Sequence, residues 1–141
     1  MRSHQNASAE ILGKLRAICL LLPEATEQRA WVGTRWCVRN RNFAHVVPID
    51  DGWPPSYAKA ASSRGPITIA TFRVCPQDHD ALRAIGHPFF VPPWWPDIAG
   101  LVIDGATDWT ELAELITDSF RLLAPKKVRR DGSLDEHVGS T

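Results

Sequence analysis

The chain has 141 residues, a formal net charge of zero, 44% hydrophobic residues and 23% charged residues, which is the size and balance of one globular domain and excludes a multidomain assembly or a disordered chain. The longest unbroken apolar run, from Ala17 to Leu22, falls far short of the ~20 residues a membrane span needs. The polar start, Met1 to Asn6, has no signal-type apolar stretch behind it, and Cys19, Cys37 and Cys75 form no Cys-x-x-Cys, so free thiols in a cytoplasmic protein are expected.

The first element is a helix over about 8–22. Ser8 or Asn6 caps it, Glu10 suits its dipole, and Ile11, Leu15, Ile18 and Leu22 make an apolar stripe with Leu12 and Cys19 beside them, until Pro23 stops it. Residues 29–75 change to strand texture. Trp36 and Val38 alternate with Arg35, Cys37 and Arg39, which places Arg35 and Arg39 on one face. Arg39-Asn40-Arg41-Asn42 is a hairpin signal, because asparagine adopts the left-handed conformations a tight turn demands. A second strand follows over 43–49, then a long connection over 50–65, then a β-branched strand over 67–74.

A short helix over about 77–85 places Leu82 and Ile85 inward and stops at Gly86. A Pro/Trp-rich loop over 86–97 leads to a strand at 100–104. The last helix starts at Asp108-Trp109-Thr110-Glu111, a capping box in form, and buries Leu112, Leu115, Ile116, Ser119, Phe120 and Leu123 before Pro125. Consecutive strands without intervening helices pair antiparallel. The pattern therefore predicts an α+β fold: a two-layer sandwich whose antiparallel sheet is backed by the N-terminal and C-terminal helices. One domain over 8–127 is expected, followed by a polar, disordered tail over 128–141.

Charge is polarised along the chain. Residues 29–73 carry seven bases against two acids, whereas 74–124 carry two bases against eight acids. Such asymmetry marks either a nucleic-acid face or two halves that attract each other. The basic candidates for phosphate contact are Arg35, Arg39, Arg41, Lys59, Arg64 and Arg73. Six tryptophans with a single tyrosine are the other unusual feature. Most pack loops and core, but Trp36, Trp94 and Trp95 with His87 are candidates for a ligand pocket. No nucleophile elbow, phosphate-binding glycine loop or His-Glu-x-x-His is present, and His79 and His87 lack metal-ligand spacing. The expectation is a protein without catalysis, metal or cofactor.

Leu21-Leu22-Pro23-Glu24-Ala25-Thr26-Glu27, Phe43-Ala44, Thr71-Phe72-Arg73, Gly86-His87-Pro88-Phe89-Phe90-Val91-Pro92 and the closing segment from Asp118 to Lys127 together resemble the YjbR/MmcQ family of small bacterial proteins, over roughly residues 10–127. That resemblance implies a frataxin-like α+β fold and a double-wing DNA-binding motif, in which β-hairpins act as wings. It implies DNA contact through the sheet and its hairpins; with zero net charge and arginines as the candidate contacts, binding to double-stranded DNA is expected to be weak and salt-sensitive. The alternative is a small aromatic ligand held by a stress or resistance protein in the Trp/Phe/His pocket.

Overall fold

Ser8 begins the first helix, α1 (Ala9–Cys19): its Oγ accepts a hydrogen bond from the Ile11 N–H at 3.3 Å, satisfying one of the free donors of the first turn. The computed structural model describes residues 5–131. Six strands follow in the chain, β1 (Thr26–Arg29), β2 (Thr34–Val38), β3 (Arg41–Ile49), β4 (Ile67–Arg73), β5 (Phe89–Phe90) and β6 (Ile98–Ile103), with four more helices, α2 (Pro55–Ala61), α3 (Pro76–Ile85), α4 (Trp109–Leu123) and α5 (Lys126–Asp131). The strands form one open sheet in the order β1-β2-β3-β4-β6-β5, and every pairing is antiparallel. The fold is α+β, as the pattern of elements predicts.

The β2–β3 hairpin turns through two residues, Arg39 and Asn40, both with positive φ (51° and 66°), the requirement of a tight turn that follows strand twist. The register then slips: Trp36 opposes Ala44 but Cys37 opposes Asn42. Phe43 is the extra residue of a bulge, and both Phe43 and Ala44 enter the helix-side core. Arg39 therefore sits in the turn and not on the strand face with Arg35. Arg41, opposite the helix-side Val38, lies on the other face from Arg35.

One sheet face, carrying Trp36, Val46, Ala70, Phe72, Leu101 and Ile103, is buried against Leu15 and Cys19 of α1 and Leu112, Ile116 and Phe120 of α4. Asp108 caps α4 by accepting from the Glu111 N–H at 3.0 Å. The opposite face carries a smaller cluster in which Val32, Val47, Ile49 and Ile69 pack under Ala58, Tyr57 and Ala61 of α2. The two-layer arrangement thus holds on the helix side, and α2 adds a partial third layer that the long connection over 50–65 had concealed.

Two further expectations are corrected. Ile85 is 61% exposed, and His79 takes the inward place beside Leu82: each three-residue step falls about 60° short of a full turn, so the stripe has rotated away by the helix end. The closing segment is helical in α5 and buries Val128 fully, so ordered structure extends past the expected tail boundary at 128. Residues 132–141, the rest of that tail, lie outside the described residues. Among the described residues no helix is long and apolar enough to cross a membrane.

Candidate functional site

A single row of residues crosses the whole sheet on the α2 side. Strand register sets Gln28 beside Arg35, Arg35 beside His45, His45 beside Thr71, Thr71 beside Gly100, and Gly100 beside Phe90. Gly100 is required there, because a Cβ would come within 2.1 Å of the Phe90 ring lying over it. The row runs from Gln28 at one edge, past the Arg35 cation, to the Phe90 ring at the other.

Polar bonds hold the row in place. The Arg35 Nε donates to Gln28 Oε1 at 3.1 Å. His45 Nε2 donates to the Val32 carbonyl at 2.8 Å, which leaves Nδ1 to accept, at a long 3.4 Å, from the Tyr57 hydroxyl. Burial pushes the His45 pKa down, against the opposing effect of the Val32 carbonyl, so the ring is neutral at ordinary pH. Tyr57 stands edge-on to His45 and to Trp95, with centroids 5.8 Å apart in each pair, and Trp95 lies 6.2 Å from Phe90. Lys59, two residues along α2, places its Nζ 5.0 Å from the centroid of the Trp94 ring, within cation–π range.

The Pro/Trp loop is fixed from below by a buried histidine. His79 Nε2 donates to the Trp95 carbonyl at 2.6 Å, and Nδ1 accepts from Arg83 Nη2 at 3.1 Å. Because the guanidinium only donates, His79 is the neutral Nε2–H tautomer.

The six candidate cations fall into two groups. Arg39 forms a two-pronged pair with Glu24 (2.6 and 3.2 Å), Arg64 pairs with Asp51 at 3.1 Å, and Arg73 pairs with Asp97 at 3.0 Å. Only the last of these joins the basic middle to the acidic second half. Arg35, Arg41 and Lys59 are exposed and have no carboxylate partner among the described residues. Of these, Arg35 is in the row and Lys59 stands over the same face.

The four pocket candidates do not line one cavity. Trp36 is fully buried on the helix side, where its Nε1 donates to Glu27 Oε1 at 2.9 Å, and the sheet separates it from Trp94 and Trp95. His87 is exposed at a separate cavity of about 290 Å³ shared with Leu101, Thr107 and Glu111. Alternation identifies a face but not which face is covered, and that is why Trp36 read as a pocket wall. On the α2 side a depression of about 30 Å³ lies between Asn42, Thr71, Arg73 and Ile98. His45, Tyr57 and His79 were missed in the sequence, although a lone tyrosine in a Pro-started segment and a histidine inside an apolar strand were signals for the first two.

The family model YjbR matches residues 20–122. No curated protein matches the sequence. Among solved structures, the crystal structure of Deinococcus radiodurans protein DR2400, with a DUF419 domain, is similar with a TM-score of 0.62 at 17% identity, covering 99% of this chain and 97% of that one. At that identity the likeness bears on the fold.

Proposed function

The chain belongs to the YjbR family, and we propose that it binds DNA through the α2 side of its sheet, with Arg35 and Lys59 on phosphates and Arg73 joining them by exchanging Asp97 for a phosphate oxygen. The observation that carries this reading is that Arg35 and Lys59, exposed on the α2 side, have no carboxylate partner among the described residues. Asp108, Glu111, Glu114 and Asp118 all ride on or cap α4, on the far side from Arg35 and Lys59. On the α2 side the carboxylates of Asp51 and Asp97 are already paired with Arg64 and Arg73, which leaves Arg35 and Lys59 for a duplex in spite of the zero net charge. The arginines already neutralised by Glu24 and Asp51 contribute little, which reduces the contact set from six residues to two or three. Arg41 flanks the hairpin on the other face and is a secondary contact at most.

Two or three phosphates correspond to a log–log salt slope of about −2 to −3 and to micromolar or weaker affinity at physiological salt. Titration of labelled duplex at several salt concentrations tests this. Arg35→Ala with Lys59→Ala should flatten the slope by about two and weaken all duplexes alike, whereas Arg39→Ala should leave it unchanged. No binding by the unmodified chain at ~50 mM salt would overturn the proposal. A small ligand is the less favoured reading, because Trp36 and His87 are not part of the surface that Trp94 and Trp95 share.

A further inference from the structure

Phosphate contact leaves the most costly feature of this surface unexplained. Trp31 and Trp94 are 67% and 47% exposed, although indole is among the largest apolar groups a fold can withdraw from water. They reach the α2 side from opposite edges of the sheet, Trp31 from the β1–β2 loop and Trp94 from the β5–β6 loop. Neither is loosely held. Trp31 stands edge-on against Trp53 with centroids 5.2 Å apart, and Trp53 packs on the cluster under α2. Trp94 has Lys59 over its ring, and its neighbour Trp95 is fixed by the His79 hydrogen bond and by packing on Tyr57 and Phe90.

α2 lies between those two indoles, with Trp53 just before its start against Trp31 and its Lys59 over Trp94, and Arg35 is exposed on the same side of the sheet. The ~30 Å³ depression on this side is too small to enclose a free ligand. An occupant must therefore lie along the face. It must offer flat π-surfaces to the exposed indoles and negative charge to Arg35 and Lys59. The sheet is five strand spacings wide, roughly 24 Å, enough for ~4 or more nucleotides of an extended strand.

Resting on the DNA-binding reading, we infer that the occupant of this face is single-stranded DNA, its bases stacked on Trp31 and Trp94 and its phosphates on Arg35 and Lys59. A duplex keeps its base faces stacked on one another and can offer the same surface only phosphates. Stacking is therefore a contribution that single strands alone receive.

The test compares a labelled oligothymidine of about 15 nucleotides with a duplex of equal length by fluorescence anisotropy at ~50 mM salt. The single strand should bind about tenfold more tightly and quench tryptophan emission. Trp31→Ala and Trp94→Ala should each weaken it about tenfold while changing duplex affinity less than twofold, and Trp94→Phe, which keeps a stacking face, should retain most of the affinity. Both positions are exposed, so thermal melting of each variant checks that folding is retained. Duplex binding as tight as single-strand binding, or tryptophan variants that weaken both equally, would overturn this inference and leave the phosphate reading standing. Absence of binding to either DNA would remove both.

Discussion

Replacing Ser119 by alanine removes one oxygen atom from a place where the sheet cannot close on itself. Ala44 opposite Phe72 is the last regular pair of β3 and β4 toward the hairpin end. Beyond it the bulge at Phe43 spreads the strands, and α4 inserts the fully buried Ser119, whose Oγ accepts from the Arg73 N–H at 2.8 Å and donates to the Phe43 carbonyl at 2.6 Å. One hydroxyl thus replaces a rung of the ladder and satisfies two backbone groups. Without it the buried Phe43 carbonyl and the part-buried Arg73 N–H lose their partner, at ~1–3 kcal/mol each, or about 3 kcal/mol together after local relaxation. In a domain of this length that lowers the melting temperature by about 10 °C. Thr117 provides the control on the same helix. Its Oγ1 donates to the Ala113 carbonyl at 2.8 Å, a bond back to an already paired helical carbonyl, so Thr117→Ala should stay within ~0.5 kcal/mol of the unmodified chain. Thermal and urea melts followed by circular dichroism compare the two. If Ser119→Ala melts within ~2 °C of Thr117→Ala, the hydroxyl is not a rung of the sheet and the reasoning is refuted.

Gly100→Ala should destabilise by displacing the Phe90 ring and, by the same movement, alter Trp95 emission; an unchanged spectrum with unchanged stability would show that the ring does not lie over Gly100. Glu27, hydrogen-bonded first by Arg16 and then by Trp36, has its pKa held below the ordinary 4.5, so its stabilisation is complete above that value and is lost as pH falls through the lower, folded-state value. Glu27→Gln should melt lower at neutral pH and converge with the unmodified chain in acid, and parallel pH–stability curves would contradict the assignment.

The elements legible in the sequence are those whose apolar residues repeat with a single period. The stripe of α4 and its Asp108 cap needed nothing beyond spacing, and the same holds for α1 and the central strands. What escaped has no period of its own. Thr26, Glu27, Gln28 and Arg29 are all polar, and β1 exists because β2 offers it an edge to pair with. α5 has one apolar anchor, Val128. α2 has a weak signal, a proline at its first position followed by alanines, which the neighbouring Trp53-Pro54-Pro55 turns into the look of a loop. The ion pairs are a different case. Arg39 finds Glu24 fifteen residues away, and Arg73 finds Asp97 twenty-four away; only the fold decides which cations remain free.

The position of the candidate surface follows from how the strands distribute apolar residues. At one end of the sheet adjacent residues are apolar on both faces: Val46 with Val47, Ile69 with Ala70, Leu101 with Val102. That end needs a cover on each side, and α2 supplies the second one. At the other end only the helix side stays apolar, while the opposite face presents Arg35, Asn42, Thr71 and Arg73. A second cover there would bury the Arg35 charge, which has no carboxylate partner among the described residues. α2 has seven residues, about 10 Å of helix, against about 30 Å for the nine residues of β3, so it covers the apolar end and stops. The exposed indoles of Trp31 and Trp94 flank this short helix. A longer cover that reached Arg35 would exclude solvent from that cation and would remove the surface on which the proposed DNA strand lies.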